Sequence, residues 1–140
     1  MTGSGLLTVL KNQIAAALPT WTVLDTPASD PVDKQVAMNL GPASVGGYQF
    51  GGLEIKESVH VFATISTAGG AVAAYHTIAD TRDAIAGALL DSAFISSLQL
   101  SGVLLFEDGA PNFDEPSVTK DSASNGFWMV ELVIPVKRSI

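Results

Sequence analysis

The chain has 140 residues, 47% of them hydrophobic, and a formal net charge of -7 from 7 basic and 14 acidic side chains. A chain of this size predicts one domain, residues 1–140, that buries ~68% of its unfolded surface, and its composition excludes intrinsic disorder. A protein that grips phosphates needs a basic stripe, and the only adjacent basic pair is Lys137-Arg138. The excess of acidic over basic side chains therefore disfavours tight nucleic-acid binding.

The sequence contains few features that indicate a cellular location. No apolar run approaches the ~20 residues needed to cross a bilayer. Met1–Gly5 lacks the basic segment of a signal peptide. The chain contains no cysteine, which excludes disulfides and Cys-ligated zinc. We therefore expect a protein found in the cytoplasm that makes no membrane contact.

The first part of the chain predicts one helix and two short strands. Ser4 can cap the helix and Pro19 ends it, because proline lacks the backbone donor. In order, the pattern predicts a helix over Leu6–Leu18, a strand over Trp21–Leu24, a loop over Thr26–Lys34, an interior strand over Val36–Leu40 and a flexible, glycine-rich connection over Gly41–Gly52.

A long strand followed by a long helix forms the centre of the chain. Apolar residues fall on odd positions over Leu53–Ile65, except at Glu57, and at helical spacing over Val72–Leu90. At ~3.3 Å per residue the strand spans ~46 Å, whereas a globule of this size is ~37 Å across. Either the strand bends at a bulge near Glu57, or its polar N-terminal end projects. We favour projection, which would imply a partner.

The remaining sequence predicts a loop around Phe94-Ile95, a strand over Leu98–Glu107, a long acidic loop over Asp108–Asn125 and a last strand over Phe127–Val136 that stops pairing at Pro135. The order is α-β-β-β-α-β-β. It predicts an α+β fold in which a mainly antiparallel sheet of about five strands has two helices packed on one face.

Candidate catalytic and phosphate-binding motifs have ordinary explanations. The glycines of Gly46–Gly52 lead into a strand, whereas a phosphate loop opens a helix. Ser117–Lys120 matches the Ser-x-x-Lys pattern of serine acylases but lacks the companion motifs. We predict neither a catalytic nor a cofactor-binding residue, and no enzyme.

Candidate metal ligands are equally weak. His60 and His76 have no ligand at metal-binding spacing, and the acidic residues near Glu107 and Asp114 lack the spacing of a calcium loop. We predict no metal site and no cofactor.

Six residues are candidates for contact with another chain. Tyr48, Phe50 and Phe113 lie in loops, where aromatic side chains either tuck into the body or remain free as interface anchors, and the sequence leaves both alternatives open. Glu54, Lys56 and Glu57 lie on the strand end that we expect to project.

In the order of its elements the chain resembles the tail terminator, or tail-completion, proteins of long-tailed bacteriophages. The resemblance covers nearly the whole chain but contains no diagnostic motif. It rests on the following segments: the helix Leu6–Leu18, the aromatic strand Trp21–Leu24, the acidic loop Asp30–Asp33, the strand Val36–Leu40, the long strand and helix, and the last strand beginning Phe127-Trp128.

The resemblance implies a structural virion protein in the neck region of the tail, assembled in the host cytoplasm. Such a protein forms a hexameric ring on the last ring of the tail tube, stops tube polymerisation and offers a docking surface to the head-tail connector, or neck, protein. We expect an acidic ring lining that lets DNA pass without specific binding. The alternatives are another neck or tail subunit, such as a head-closure or tube-related protein, and a small cytosolic ligand-binding domain.

Overall fold

The computed structural model describes residues 1–49, 52–106 and 111–140, which form three helices and seven strands. The helices are α1 (Gly3–Ala17), α2 (Ala71–Leu89) and α3 (Ser92–Leu100). The strands are β1 (Thr22–Val23), β2 (Gln35–Gln49), β3 (Gly52–Ser66), β4 (Val103–Leu105), β5 (Asn112–Phe113), β6 (Ser117–Lys120) and β7 (Gly126–Ser139). The α+β class is confirmed, with one helix and two strands more than the sequence predicts.

Strands β3 and β7 form the centre of the sheet. They pair antiparallel without a register shift from Glu54 opposite Ser139 to Ser66 opposite Phe127. Strand β2 pairs antiparallel with the other edge of β3, and β1 adds a short parallel pairing at the start of β2. Strands β4, β5 and β6 each pair with a different part of the far edge of β7.

One face of this sheet packs on all three helices. The odd positions of β3 and the even positions of β7 face the helices, as the alternation over Leu53–Ile65 predicts. Burying one large aliphatic side chain stabilises the fold by about 1.5–3 kcal/mol. The largest fully buried side chains are Leu6, Leu10, Ile14, Met38, Ile78, Leu89, Leu98 and Ile134.

Both predicted helices are present, but their surroundings differ from the prediction. Helix α1 begins at Gly3 because Thr2, rather than Ser4, is the cap, and its Oγ1 accepts from the Gly5 N–H at 3.1 Å. The stretch around Phe94 is helix α3 rather than a loop. Asp91 caps this helix by accepting from the Phe94 N–H at 2.9 Å.

The strand predicted from Leu98 is wrong over its first half. Phe94 and Leu98 are four residues apart, and both are buried in the core, which is the spacing of a helix face. Strand β4 is therefore limited to Val103–Leu105.

Strand β2 is three times as long as predicted, because the predicted connection over Gly41–Gly52 is strand at residues 41–49 and at Gly52. Residues 50 and 51 of that prediction lie outside the described part of the chain. The chain stays paired with β3 up to Gln49, and two register shifts on β2 take up the extra residues, one between Leu40 and Ala43 and one between Gly46 and Tyr48. At Gly41 a Cβ would lie 2.8 Å from Nε2 of His60, so the first shift needs glycine. Pairing across the sheet outweighs the local preference of glycine for loops.

The prediction that Glu54–Ser58 projects as a free strand is wrong, and so is the bulge at Glu57. Both edges of this segment are paired, one with β2 and the other with β7. The nearest register shift places its extra residue on β2. The length of β3 is accommodated because its two neighbours, at 15 and 14 residues, are as long as β3 itself.

Strand β7 does not stop pairing at Pro135. The Pro135 carbonyl accepts from the Phe106 N–H at 2.9 Å on the outer edge of β7. In a strand the nitrogen and carbonyl of one residue point to the same edge, so the missing donor of proline falls beside Phe106 and not in the β3–β7 ladder. The acidic segment after residue 110 is also more ordered than predicted, since it contains β5 and β6.

Candidate interaction surface

The outer edge of β2 is open over most of its length. Strand β1 pairs only with Gln35 and Val36, and the last bond from this side is donated by the Met38 N–H to the Thr26 carbonyl at 3.3 Å. Among the described residues no strand pairs with this edge from Asn39 to Gln49. An unpaired edge presents backbone donors and acceptors to which a strand from another chain can be added.

Three exposed aliphatic side chains lie beside this edge. They are Leu40, Val45 and Leu53, which are 40%, 63% and 45% exposed, and we call them the hairpin-end patch. The register of β2 with β3 places them on the helix face of the sheet. The buried residues of α1 and α2 pack on other parts of this face, so the patch remains in contact with solvent. The register spreads the three residues over six positions of β3, or ~20 Å, so they form a stripe along one face. Exposed aliphatic side chains that share a face are candidates for an interaction site.

The hairpin end also lacks the charges that usually protect an open edge. No charged residue occurs between Lys34 and Glu54. Natural edge strands are commonly blocked by lysine, proline or bulges, and here only Pro42 and the two register shifts do so. The charge-free stretch was visible in the sequence, but none of the three residues was predicted as an interface residue. Leu40 was assigned to an interior strand, Val45 to a loop and Leu53 to the apolar face of the long strand.

Of the predicted interface residues, Glu57 lies inside the protein. Its Oε1 accepts from Nε of Arg138 at 2.6 Å, and Nη1 of Arg138 donates to the Met1 carbonyl at 3.1 Å. Only 3% of the Glu57 side chain and 9% of the Arg138 side chain are exposed. This ion pair closes the core where the sheet extends past the start of α1.

Glu54 and Lys56 lie on the opposite face of the sheet. Glu54 Oε2 is 3.3 Å from Nζ of Lys137, and both side chains are largely buried. Lys56 is exposed. The interface role of Glu54, Lys56 and Glu57 stays a prediction.

Two of the three predicted aromatic anchors, Tyr48 and Phe113, lie in strands. The backbone of Tyr48 pairs with Leu53, but its side chain, like the whole of Phe50, lies outside the described part of the chain. Phe113 lies in β5 and packs against the core, which is the tucked alternative.

The other face of the sheet carries a half-open cavity of about 310 Å³. It lies between the loop around Pro27–Pro31 and the side chains of Asn39, Phe62 and Met129. This volume is at the lower limit of small-molecule sites. The Asn39 Oδ1 atom is buried without a hydrogen-bond partner, and the neighbouring His60 Nδ1 lies 2.6 Å from Glu131 Oε1.

Neither a metal cluster nor a membrane helix occurs in the described part of the chain. No group of three or more His, Cys, Asp or Glu residues there could hold a metal ion. None of the described helices is long and apolar enough to cross a membrane.

The chain is similar in structure to solved proteins but matches no known family by sequence. No family model matches the chain, and no curated protein matches it. A chain from a solved structure of the virion of a native gene transfer agent particle is similar, with a TM-score of 0.44 and 15% sequence identity. The match covers 96% of this chain and 95% of that chain. A similarity of this strength assigns neither a fold nor a function.

Proposed function

We propose that the protein is a structural protein of a phage-like virion, and specifically a tail terminator. In this proposal six copies form a ring on the end of the tail tube, stop its polymerisation and offer a surface to the neck protein. Such a protein works through surfaces that bind other subunits and needs no reaction centre.

The open, charge-free edge of β2 is the observation that supports this proposal. A ring subunit must bind a neighbour on each side, and no strand in the described part of the chain pairs with the outer edge of Asn39–Gln49 beside the hairpin-end patch. The order of elements on which the resemblance to the terminator family rests is a second support, and the observed order keeps it from α1 to α2. The small cavity near Asn39 favours a ligand-binding domain instead.

The net charge of -7 fits a ring through which DNA must pass. An acidic lining offers no cations to replace the counterions of the phosphates, so DNA would slide without binding. A cryo-EM map of the ring would test this, and a pore lined mainly by Lys and Arg would overturn the lining.

The experiment that tests the function adds the purified protein to growing tubes of a tail-tube protein from the same virion. We expect the protein to sediment with the tubes and to stop their growth. Leu53→Glu would place a charge in the proposed interface, and we expect its capping activity to fall at least ~100-fold, which corresponds to a loss of ~2.7 kcal/mol.

Leu100→Glu is the matched control, because Leu100 is 91% exposed at the end of α3, outside the hairpin-end patch. It should cap tubes like the wild type. A wild-type protein that stays monomeric and never binds tubes would refute the proposal.

A further inference from the structure

A second exposed apolar surface lies at the other end of the sheet. It consists of Val72, Tyr75 and Val118, which are 75%, 42% and 61% exposed, and we call it the helix-start patch. Trp128 lies beneath it. The Trp128 ring meets the Tyr75 ring edge-on at a centroid distance of 5.1 Å, and its Nε1 donates to the Ala71 carbonyl at 3.0 Å.

The pairing of β6 with β7 holds the third member of this patch in place. Val118 lies directly opposite Trp128. Because Trp128 is anchored to α2, the strand edge and the start of the helix form one rigid surface.

The two patches lie far apart on the same chain. Trp128 is paired with Ile65 and Val45 with Ile55, ten positions away along β3, a distance of ~33 Å at the usual rise of a strand. The patches also lie towards opposite edges of the sheet, one along β2 and the other along β6. They can meet only between two copies, and such a contact is heterologous, which builds rings or filaments rather than closed pairs.

Charge favours a second copy as the occupant of each patch. A chain with a net charge of -7 repels itself wherever its acidic surfaces meet. The two longest stretches of the chain without Asp, Glu, Lys or Arg are 35–53 and 58–79. The first contains the hairpin-end patch, and the second contains two of the three residues of the helix-start patch.

The strand edges are complementary as well. The outer edge of β2 is unpaired beyond Met38, and within the described ranges no strand pairs with the outer edge of β6. Addition of one edge to the other would satisfy the backbone groups of both and bring Val45 towards Val118 of the next copy.

We propose that copies of this chain associate head to tail, with the hairpin-end patch and β2 edge of one copy seated on the helix-start patch and β6 edge of the next. The proposal rests on the proposed function and identifies the contact that would close the ring.

Cysteine cross-linking tests this contact directly, because the chain has no cysteine of its own. Val45→Cys and Val118→Cys proteins are treated with a short bismaleimide, separately and mixed, in concentrated solution and on tail tubes. We expect dimers mainly from the mixture, and a ladder of higher oligomers from a chain that carries both substitutions. Since Val45 and Val118 of one chain are ~33 Å apart along the strands, the doubly substituted chain cannot cross-link to itself.

Val32→Cys mixed with Val118→Cys is the matched control. Val32 is 48% exposed but lies in the loop before β2, so we expect no specific dimer. Dimers from Val45→Cys alone would show a symmetric contact and overturn the proposal. The absence of Val45–Val118 cross-links both in solution and on tail tubes would overturn it as well. Tube capping without these cross-links would refute only the contact, whereas cross-links without tube binding would refute the terminator role.

Discussion

The buried ion pair between Glu57 and Arg138 makes a quantitative prediction. Glu57→Leu keeps the side-chain volume similar but leaves the Arg138 guanidinium buried without its carboxylate. Breaking a buried pair from one side costs about 3–5 kcal/mol. The bond from Arg138 to the Met1 carbonyl remains, so we expect a loss near 3 kcal/mol.

A loss of this size is large compared with the ~5–15 kcal/mol that stabilises a typical domain. For a chain of this length it should lower the Tm by roughly 10–15 °C. Urea denaturation followed by Trp fluorescence would measure the free energy, because Trp21 and Trp128 are the two tryptophans of the chain.

The double variant Glu57→Leu/Arg138→Met tests the cause. Replacing both charges with apolar groups is often neutral, so we expect the double variant to recover most of the loss. A single variant within 1 kcal/mol of the wild type, or a double variant no better than the single, would refute the argument that burial of Arg138 causes the loss.

Two further predictions concern the turn before β4 and the turn before β7. Gly102 has a φ of 76°, and a Cβ there would collide with Oγ of Ser139. Gly102→Ala should therefore lower the free energy of unfolding, measured with denaturant, by about 1–3 kcal/mol. Adding Ser139→Ala should restore part of this loss. Hydrogen bonds from the Asn125 side chain and backbone lower the pKa of Asp121 below its ordinary value of 3.8. The Asp121 stabilisation is therefore present above pH 3.8 and is lost as the pH falls through the lower folded value. In a carboxyl NMR titration Asn125→Ala should move this pKa back up, and an unchanged value would assign the shift to another cause.

Local periodicity in the sequence was sufficient for the central elements. The alternation over Leu53–Ile65 and the helical spacing over Val72–Leu90 each reproduce the observed element to within one residue at the start. These patterns were informative because each element buries one face against the same core, and the burial requires a fixed period.

The same local signals failed where pairing or packing decided the outcome. Gly41 and Pro42 indicate a loop in isolation, but β2 continues through them because β3 supplies a partner strand. Pro135 indicates the end of a strand, but its missing donor faces the outer edge. Neither the edge that a residue faces nor the partner it meets is encoded in a short window of sequence.

For the candidate interaction surface too, some features follow from the sequence and others only from the tertiary structure. The sequence by itself determined that residues 35–53 carry no charge and that the protein as a whole is acidic. Only the tertiary structure decided that Glu57 pairs with Arg138 inside the core while Leu40, Val45 and Leu53 remain exposed beside an open edge. The reason is that composition fixes which groups are available, whereas the register of β2 and β7 on β3 fixes which of them reach water.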